Sequence, residues 1–463
     1  MPSERAPKRG LPTVSELGAI IKTSLLLGIG YLGEMTIGIT DIIMIGRLGA
    51  DALGAAGLAA SIYNIILLAG IGMSFPTMIL VSQARGVARS RTVPGIIRQG
   101  LWIAGLLSIP SWAILWNLET ILILTGQNPD LARMASHYMD YYLWSIFPAF
   151  TTLTFTYAFV GMDRGGIIVF VVWSEAGLNI ILDYVLIFGK FGFPAMGMAG
   201  AGLASIMVYG AGHSIFFGIL AFHRFFRSAI VFRRAWRPRW GILGQFLRLG
   251  WPKSLELLME VGIFSAIALL TGWIGVEAIA AHTIAYQLYV AITVTVSIAV
   301  GNTVTSRISL AKGGGDSTTI PRIFNSGLLI IFLFMLSTMV ALKLFSPWVV
   351  TLFVGGEPKA QPLVSLASSL VVLVGIFMLI DGLRTVVSHA LNGLSDMKVP
   401  ALITISSYWG IAFPCGLMLV FAMDSGVSGF WFGLIIGVSA ATILCLMRFR
   451  WVVRDFQSTI ETD

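Results

Sequence analysis

The sequence predicts an all-α, polytopic membrane protein with twelve transmembrane helices in two parallel six-helix repeats. Three observations predict it. Hydrophobic residues make up 57% of the 463-residue chain and charged residues only 11%, whereas soluble domains carry about 25% charged residues. Apolar runs long enough to cross a bilayer, about 20 residues each, recur so evenly that no stretch is left for a soluble domain. The chain also repeats itself at an offset of 226 residues.

The expected helices fall at 17–45, 52–82, 96–117, 132–160, 166–188, 196–222, 246–271, 277–306, 322–343, 364–392, 398–422 and 427–447. Turns at Gly46, Gly189, Gly272 and Gly393 close the first, fifth, seventh and tenth. Each run is continuously apolar. A transmembrane barrel strand would alternate instead, so helices are the only spanning element expected.

The repeat is visible residue by residue. GRLGADALGAAGLAASIY at 46–63 matches GWIGVEAIAAHTIAYQLY at 272–289, pairing Gly46 with Gly272, Gly49 with Gly275, Asp51 with Glu277, Ala55 with Ala281 and Tyr63 with Tyr289. At the same offset Glu34 falls on Glu260. Six helices per half is an even number, so both halves enter from the same side. The expected organisation is an N-terminal tail 1–16, an N-lobe 17–222, a basic linker 223–245, a C-lobe 246–447 and a C-terminal tail 448–463.

Basic residues orient the chain. With the N-terminus in the cytoplasm, inside segments and their flanks hold 23 Lys and Arg, including the seven arginines from Arg224 to Arg248, and outside segments hold 5. The positive-inside rule therefore places both termini in the cytoplasm and accounts for the net charge of +8 without nucleic acid. The linker HRFFRSAIVFRRAWRPRWG at 223–241 reads as a basic amphipathic segment on an anionic lipid surface. Cys415 and Cys445 lie in apolar runs and read as small core residues, not a disulfide or metal pair. The N-terminus shows no cleavable signal pattern.

A carboxylate at the bilayer centre costs roughly 2.5–3.5 kcal/mol on insertion scales, so each buried acid needs a reason. Asp41 lies five residues before Gly46 and Asp183 six before Gly189 on helices that run the same way, so the two stand at similar depth. Glu175, Asn179 and Asp183 recur every fourth residue and form one polar stripe. Asp41, Asn179 and Asp183 thus offer oxygens for a small hard cation, or a site for a proton. Glu260 and Asp381 both fall near the midplane and form a second candidate cluster. Arg384, three residues after Asp381, suggests an ion pair there, and Lys253 with Glu256 suggests another. Glu34 and Glu175 are accessory candidates. Asp140 reads as interfacial, and His282 and His389 read as core hydrogen-bonders.

These residues carry a resemblance. GITDIIMIGRLGADALGAAGLAASIYN with the QARG at 83–86 resembles the first-lobe signature of the MATE multidrug and toxin extrusion family. LGWPKSLELLMEVGIF at 249–264, AIAAHTIAYQ at 278–287 and LNGLSDMKVP at 391–400 resemble its second lobe, in the manner of the bacterial NorM-type branch. The resemblance implies two lobes opening as a V to one side at a time. It implies export of cationic or amphipathic drugs across the bacterial inner membrane in exchange for Na+ or H+, with no other cofactor. It places the family's first-helix aspartate on Asp41, its helix-5 pair on Asn179 and Asp183, and its second-lobe carboxylates on Glu260 and Asp381. The chain departs from the family in two places: helix 1 has no proline, and the frequent His-Gln of helix 8 is His282-Thr283 here.

A flippase for lipid-linked sugar precursors is the alternative within the same architecture, but the few basic residues inside the helices, chiefly Lys253 and Arg384, argue against a pyrophosphate site. No HExxH, GxSxG or phosphate loop is present, so an enzyme is not expected. A channel would not need a two-lobe repeat with midplane acids. The expected partners are small cationic substrates and membrane lipids, and nothing in the sequence demands more than a monomer.

Overall fold

The computed structural model describes residues 11–222, 237–355 and 361–462. Among them are twelve helices long and apolar enough to cross a membrane. These are α1 (Val14–Gly46), α2 (Ala50–Gly86), α3 (Val93–Trp116), α4 (Pro129–Gly161), α5 (Gly165–Phe188), α6 (Met198–Phe222), α7 (Trp240–Ile274), α8 (Val276–Gly313), α9 (Ile320–Val354), α10 (Gln361–Gly393), α11 (Lys398–Ala422) and α12 (Ser428–Ser458). Each expected span has its counterpart. Most of the basic linker, 223–236, and the tail residues 1–10 lie outside the described residues.

Several helices outlast their apolar runs, because backbone hydrogen bonding does not stop where hydropathy does. α7 begins at Trp240 instead of 246, and α12 runs past Arg448 and Arg450. Arg448 is held by Asp396 at 2.7 Å and stacks 4.4 Å over the Trp451 ring, which anchors that extension.

The chain forms two compact units, Ile29–Ser254 and, together, Met1–Gly28 with Leu255–Asp463. The boundaries fall inside α1 and α7, so each of these helices supplies one half to each unit. Within the first unit α4 is central, packed by α2, α3 and α6 around Tyr63, Phe150 and Ile146. Within the second, α10 is central, packed by α8, α9 and α12 around Phe264, Phe377 and Trp431. Cys415 and Cys445 are both free thiols in this packing.

The repeat is also structural. α2 and α8 each start one residue after a glycine in backbone that L side chains rarely adopt, Gly49 at φ 122° and Gly275 at φ 151°. Leu53 N donates to Gly49 O, and its repeat mate Ile279 N donates to Gly275 O.

Irregular backbone marks specific places. α8 contains a π-helical turn at Thr293–Ser297 and α11 contains two, Tyr408–Ala412 and Met418–Ala422. The first turn in α11 precedes Pro414, whose ring would clash with the Gly410 carbonyl in a regular α-helix, and widening the turn relieves that clash.

Small residues let helices touch. A Cβ on Gly200 of α6 would meet Leu186 O at 2.6 Å, a backbone atom of α5 that cannot rotate away. We expect Gly200→Ala to part α5 from α6 and destabilise the first unit by about 1–3 kcal/mol. The unfolding midpoint in detergent would read this, and an unchanged midpoint would refute the contact.

Candidate functional site

The Ile29–Ser254 unit brings Asp41, Asn179 and Asp183 together. α1 and α5 approach closely: a Cβ at Gly30 would touch Ile168 at 3.4 Å, and one at Gly33 would crowd Val172 at 2.8 Å. Trp173 Nε1 donates to Ile29 O at 3.1 Å, pinning the two helices. Further along, Asn179 Nδ2 donates to Asp41 Oδ1 at 2.9 Å and to Asp183 Oδ2 at 3.3 Å. Asp41 and Asp183 thus converge on one amide donor. Two carboxylates gathered at one site repel each other unless a proton or a cation offsets the charge.

Asn179 and Asp183 are fully buried, whereas Asp41 is half-buried. Asn179 Oδ1 and Asp183 Oδ1 have no hydrogen-bond partner among the described residues. Tyrosines stand beside the cluster. Tyr142 stacks on Tyr63 at 4.3 Å and on Tyr138 at 5.1 Å, and Tyr63 Oη meets Ser145 Oγ at 2.9 Å.

The other unit brings Glu260, Asp381 and Arg384 together. Arg384 Nε donates to Asp381 Oδ1 at 2.7 Å and its Nη2 to Glu260 Oε1 at 2.9 Å. The ion pair expected between Asp381 and Arg384 is thus present, and it extends to Glu260. Glu256 lies 3.8 Å from the same guanidinium and accepts from Ser388 at 3.3 Å. Tyr289 Oη donates to Asp381 Oδ2 at 3.1 Å and lies 3.4 Å from Glu260 Oε1. Tyr408, first residue of the π-turn in α11, donates to Asp381 Oδ1 at 3.1 Å. Asp381, Arg384 and Glu256 are all buried. A planar fork that binds several carboxylates at once is the geometry arginine offers and lysine does not.

Sequence reading missed Glu256, Tyr289 and Tyr408. Two signals could have found the first two: Glu256 precedes Glu260 by one turn, and Tyr289 is the repeat mate of Tyr63. Tyr408 left no signal, because only tertiary packing returns α11 to α10. The remaining candidates separate. Glu175 is buried and Glu34 is exposed. Asp140 sits exposed beside His137 at 3.4 Å. His389 Nδ1 bonds Thr305 Oγ1 at 3.2 Å, and His282 packs against Trp431. Among the described residues no three His, Cys, Asp or Glu side chains converge as a metal site.

Comparison with known proteins follows this geometry. The MatE family model matches residues 27–185 and 252–418. A probable multidrug resistance protein NorM of Rhizobium meliloti is 33% identical over 442 residues, 94% of each chain. Its counterpart in Agrobacterium fabrum is 33% identical over 456 residues, 95% of each chain. The fold is similar to a crystal structure of MATE in complex with MaL6, with TM-score 0.87 at 20% identity, covering 96% of this chain and 97% of that one. It is also similar to the eukaryotic MATE transporter AtDTX14, with TM-score 0.80 at 18% identity, covering 96% and 98%.

The arginine cluster makes its own prediction. Arg384→Met removes the guanidinium that Asp381 and Glu260 bind and should destabilise the protein by about 3–5 kcal/mol. Adding Asp381→Asn should recover part of that loss. Thermal unfolding of the purified single and double variants decides it, and equal midpoints for wild type and Arg384→Met would remove the electrostatic account.

Proposed function

Because the chain belongs to the MatE family and is a multi-pass membrane protein, we propose that it is a secondary antiporter. It exports cationic or amphipathic drugs by alternating access and is driven by protons through the Asp41–Asn179–Asp183 cluster. The observation that carries this reading is the convergence of Asp41 and Asp183 on the single Asn179 amide, because two acids gathered at one site favour holding a proton. Asn179 supports the same choice of ion. Its amide N–H groups aim at both acids and occupy directions that a hard cation would need for its own oxygen ligands.

The second cluster supports the reading from the other side. Arg384 already supplies a fixed positive charge to Glu260 and Asp381, so those acids have a resident counter-ion where a Na+ would otherwise sit. Their role is then to fix α7 against α10 beneath Tyr289 and Tyr408. A lipid-linked pyrophosphate would require free buried cations, and Arg384 is fully engaged, so a flippase is the weaker reading. The basic bias of the expected inside segments supports an orientation with both termini in the cytoplasm.

The cycle follows from charge. A proton on the Asp41–Asp183 pair removes one negative charge and weakens attraction for a cationic drug. Loss of that proton restores the charge and favours drug binding. Proton and drug therefore oppose each other at equilibrium, and each must bias the same two-state equilibrium to be exchanged. Protonation from outside releases the drug there, and deprotonation inside prepares the site for the next one.

Proteoliposomes containing only this protein provide the test. An imposed pH gradient should drive accumulation of a fluorescent lipophilic cation, and an imposed Na+ gradient should not. Asp41→Asn should abolish the driven uptake while leaving insertion intact, and Asp381→Asn should weaken transport without removing its response to pH. Drug affinity in detergent should rise with pH in wild type and rise less steeply in Asp41→Asn. Uptake driven by Na+ alone would overturn the proton assignment, and uptake under neither gradient would overturn the antiporter.

A further inference from the structure

Helices α1 and α5 carry a second pair of acids that the cycle above does not use. Glu34 precedes Asp41 by seven residues and Glu175 precedes Asp183 by eight. Each interval is about two helical turns. The contacts between the helices ascend in step, from Gly30 against Ile168 through Gly33 against Val172 to Asp41 against Asn179. The helices are therefore parallel, and the glutamates stand at a similar level, two turns from the aspartates. Glu34 is close enough to act on Glu175 electrostatically.

The two glutamates have opposite surroundings. Glu34 is exposed. Glu175 is only 3% exposed, and its Oε1 has no partner among the described residues. Gly212 of α6 presses on it so closely that a Cβ there would overlap the carboxyl. One turn further along α5, the fully buried Asn179 leaves Oδ1 unpartnered while its Nδ2 serves Asp41 and Asp183.

Glu34 of α1 and Tyr209 of α6 face Glu175, and Tyr31 and Tyr157 stand near Glu34; none of these four is a cation. His213 Nδ1 is engaged with Thr151 Oγ1 at 2.7 Å. A charged carboxylate in such a place is strongly disfavoured unless something neutralises it.

We propose that this lobe carries a second proton per cycle, bound on Glu175 and exchanged with water through Glu34. The proposal rests on the proton-coupled reading above. Water protonates the exposed Glu34 carboxylate. The proton then moves from the Glu34 oxygen to a Glu175 oxygen, with one O–H bond broken and one formed. The protonated Glu175 donates to Asn179 Oδ1, which satisfies both unpartnered oxygens at once. It also fixes the amide with Nδ2 toward Asp41 and Asp183, so the two protonation sites support each other. When the drug binds, both protons return to water.

Proton release tests this directly. Tetraphenylphosphonium is titrated into the purified full-length protein near neutral pH, and the protons released are measured by calorimetry in buffers of different ionisation enthalpy. Wild type should release two protons per probe bound. Glu175→Gln should release one, and Glu34→Gln should still release two but more slowly in stopped flow. Asp41→Asn with Asp183→Asn should also release one. Undiminished release from Glu175→Gln overturns the second site, whereas undiminished release from the double aspartate variant overturns the coupling reading beneath it.

The infrared carbonyl band of protonated carboxyl groups gives a readout that does not need probe binding. Glu175→Gln should lose one component of that band, and Glu175→Asp should shift it. A band unchanged in both variants would also overturn the proposal.

Discussion

An acid inside a bundle of apolar helices must have its charge removed or matched, and this constraint shapes both units. The cost of an unmatched carboxylate there is several kcal/mol, comparable with the stability of a whole domain. The Ile29–Ser254 unit sets the Asn179 amide against Asp41 and Asp183, and on the proposed function a proton removes the charge there. The other unit answers with Arg384, whose guanidinium reaches Asp381, Glu260 and Glu256 together. On the proposed function the first solution is reversible, since a proton can leave. The second is covalently tethered and stays.

The reversible site depends on how closely the backbones approach. Asn179 reaches Asp41 only because Gly30 and Gly33 let α1 lie against Ile168 and Val172 of α5. Glu175 fits only because Gly212 has no side chain. Packing by small residues is a general means of joining helices in lipid, where no hydrophobic force distinguishes a neighbouring helix from an acyl chain. Here the same packing also sets the acids at hydrogen-bonding distance.

The repeat shows which features belong to the scaffold and which to the chemistry. Gly49 and Gly275 make the same turn, and Tyr63 and Tyr289 occupy the same position in α2 and α8. Their hydroxyls have diverged: Tyr63 meets Ser145, and Tyr289 serves Asp381. Glu34 has Glu260 as its mate, but the mate of Asp41 is Ile267, a buried core residue. One architecture therefore carries a titratable pair in one half and an aliphatic core at the matching level in the other.

Twelve spans, their order and the repeat were legible in the sequence, because hydropathy and length alone decide what can cross a bilayer. Part of each acid cluster was legible too: depth along the helix put Asp41 beside Asp183, and Arg384 one turn from Asp381 made their pairing local. What pairs across distant elements was not legible. Glu256 turned to Arg384, Tyr408 came back from α11 to Asp381, and α1 and α7 divided themselves between two compact units. Those facts depend on which helix faces rest against each other. Apolar side chains fit many neighbours almost equally well, so only the packed tertiary structure selects the set that also satisfies every buried charge.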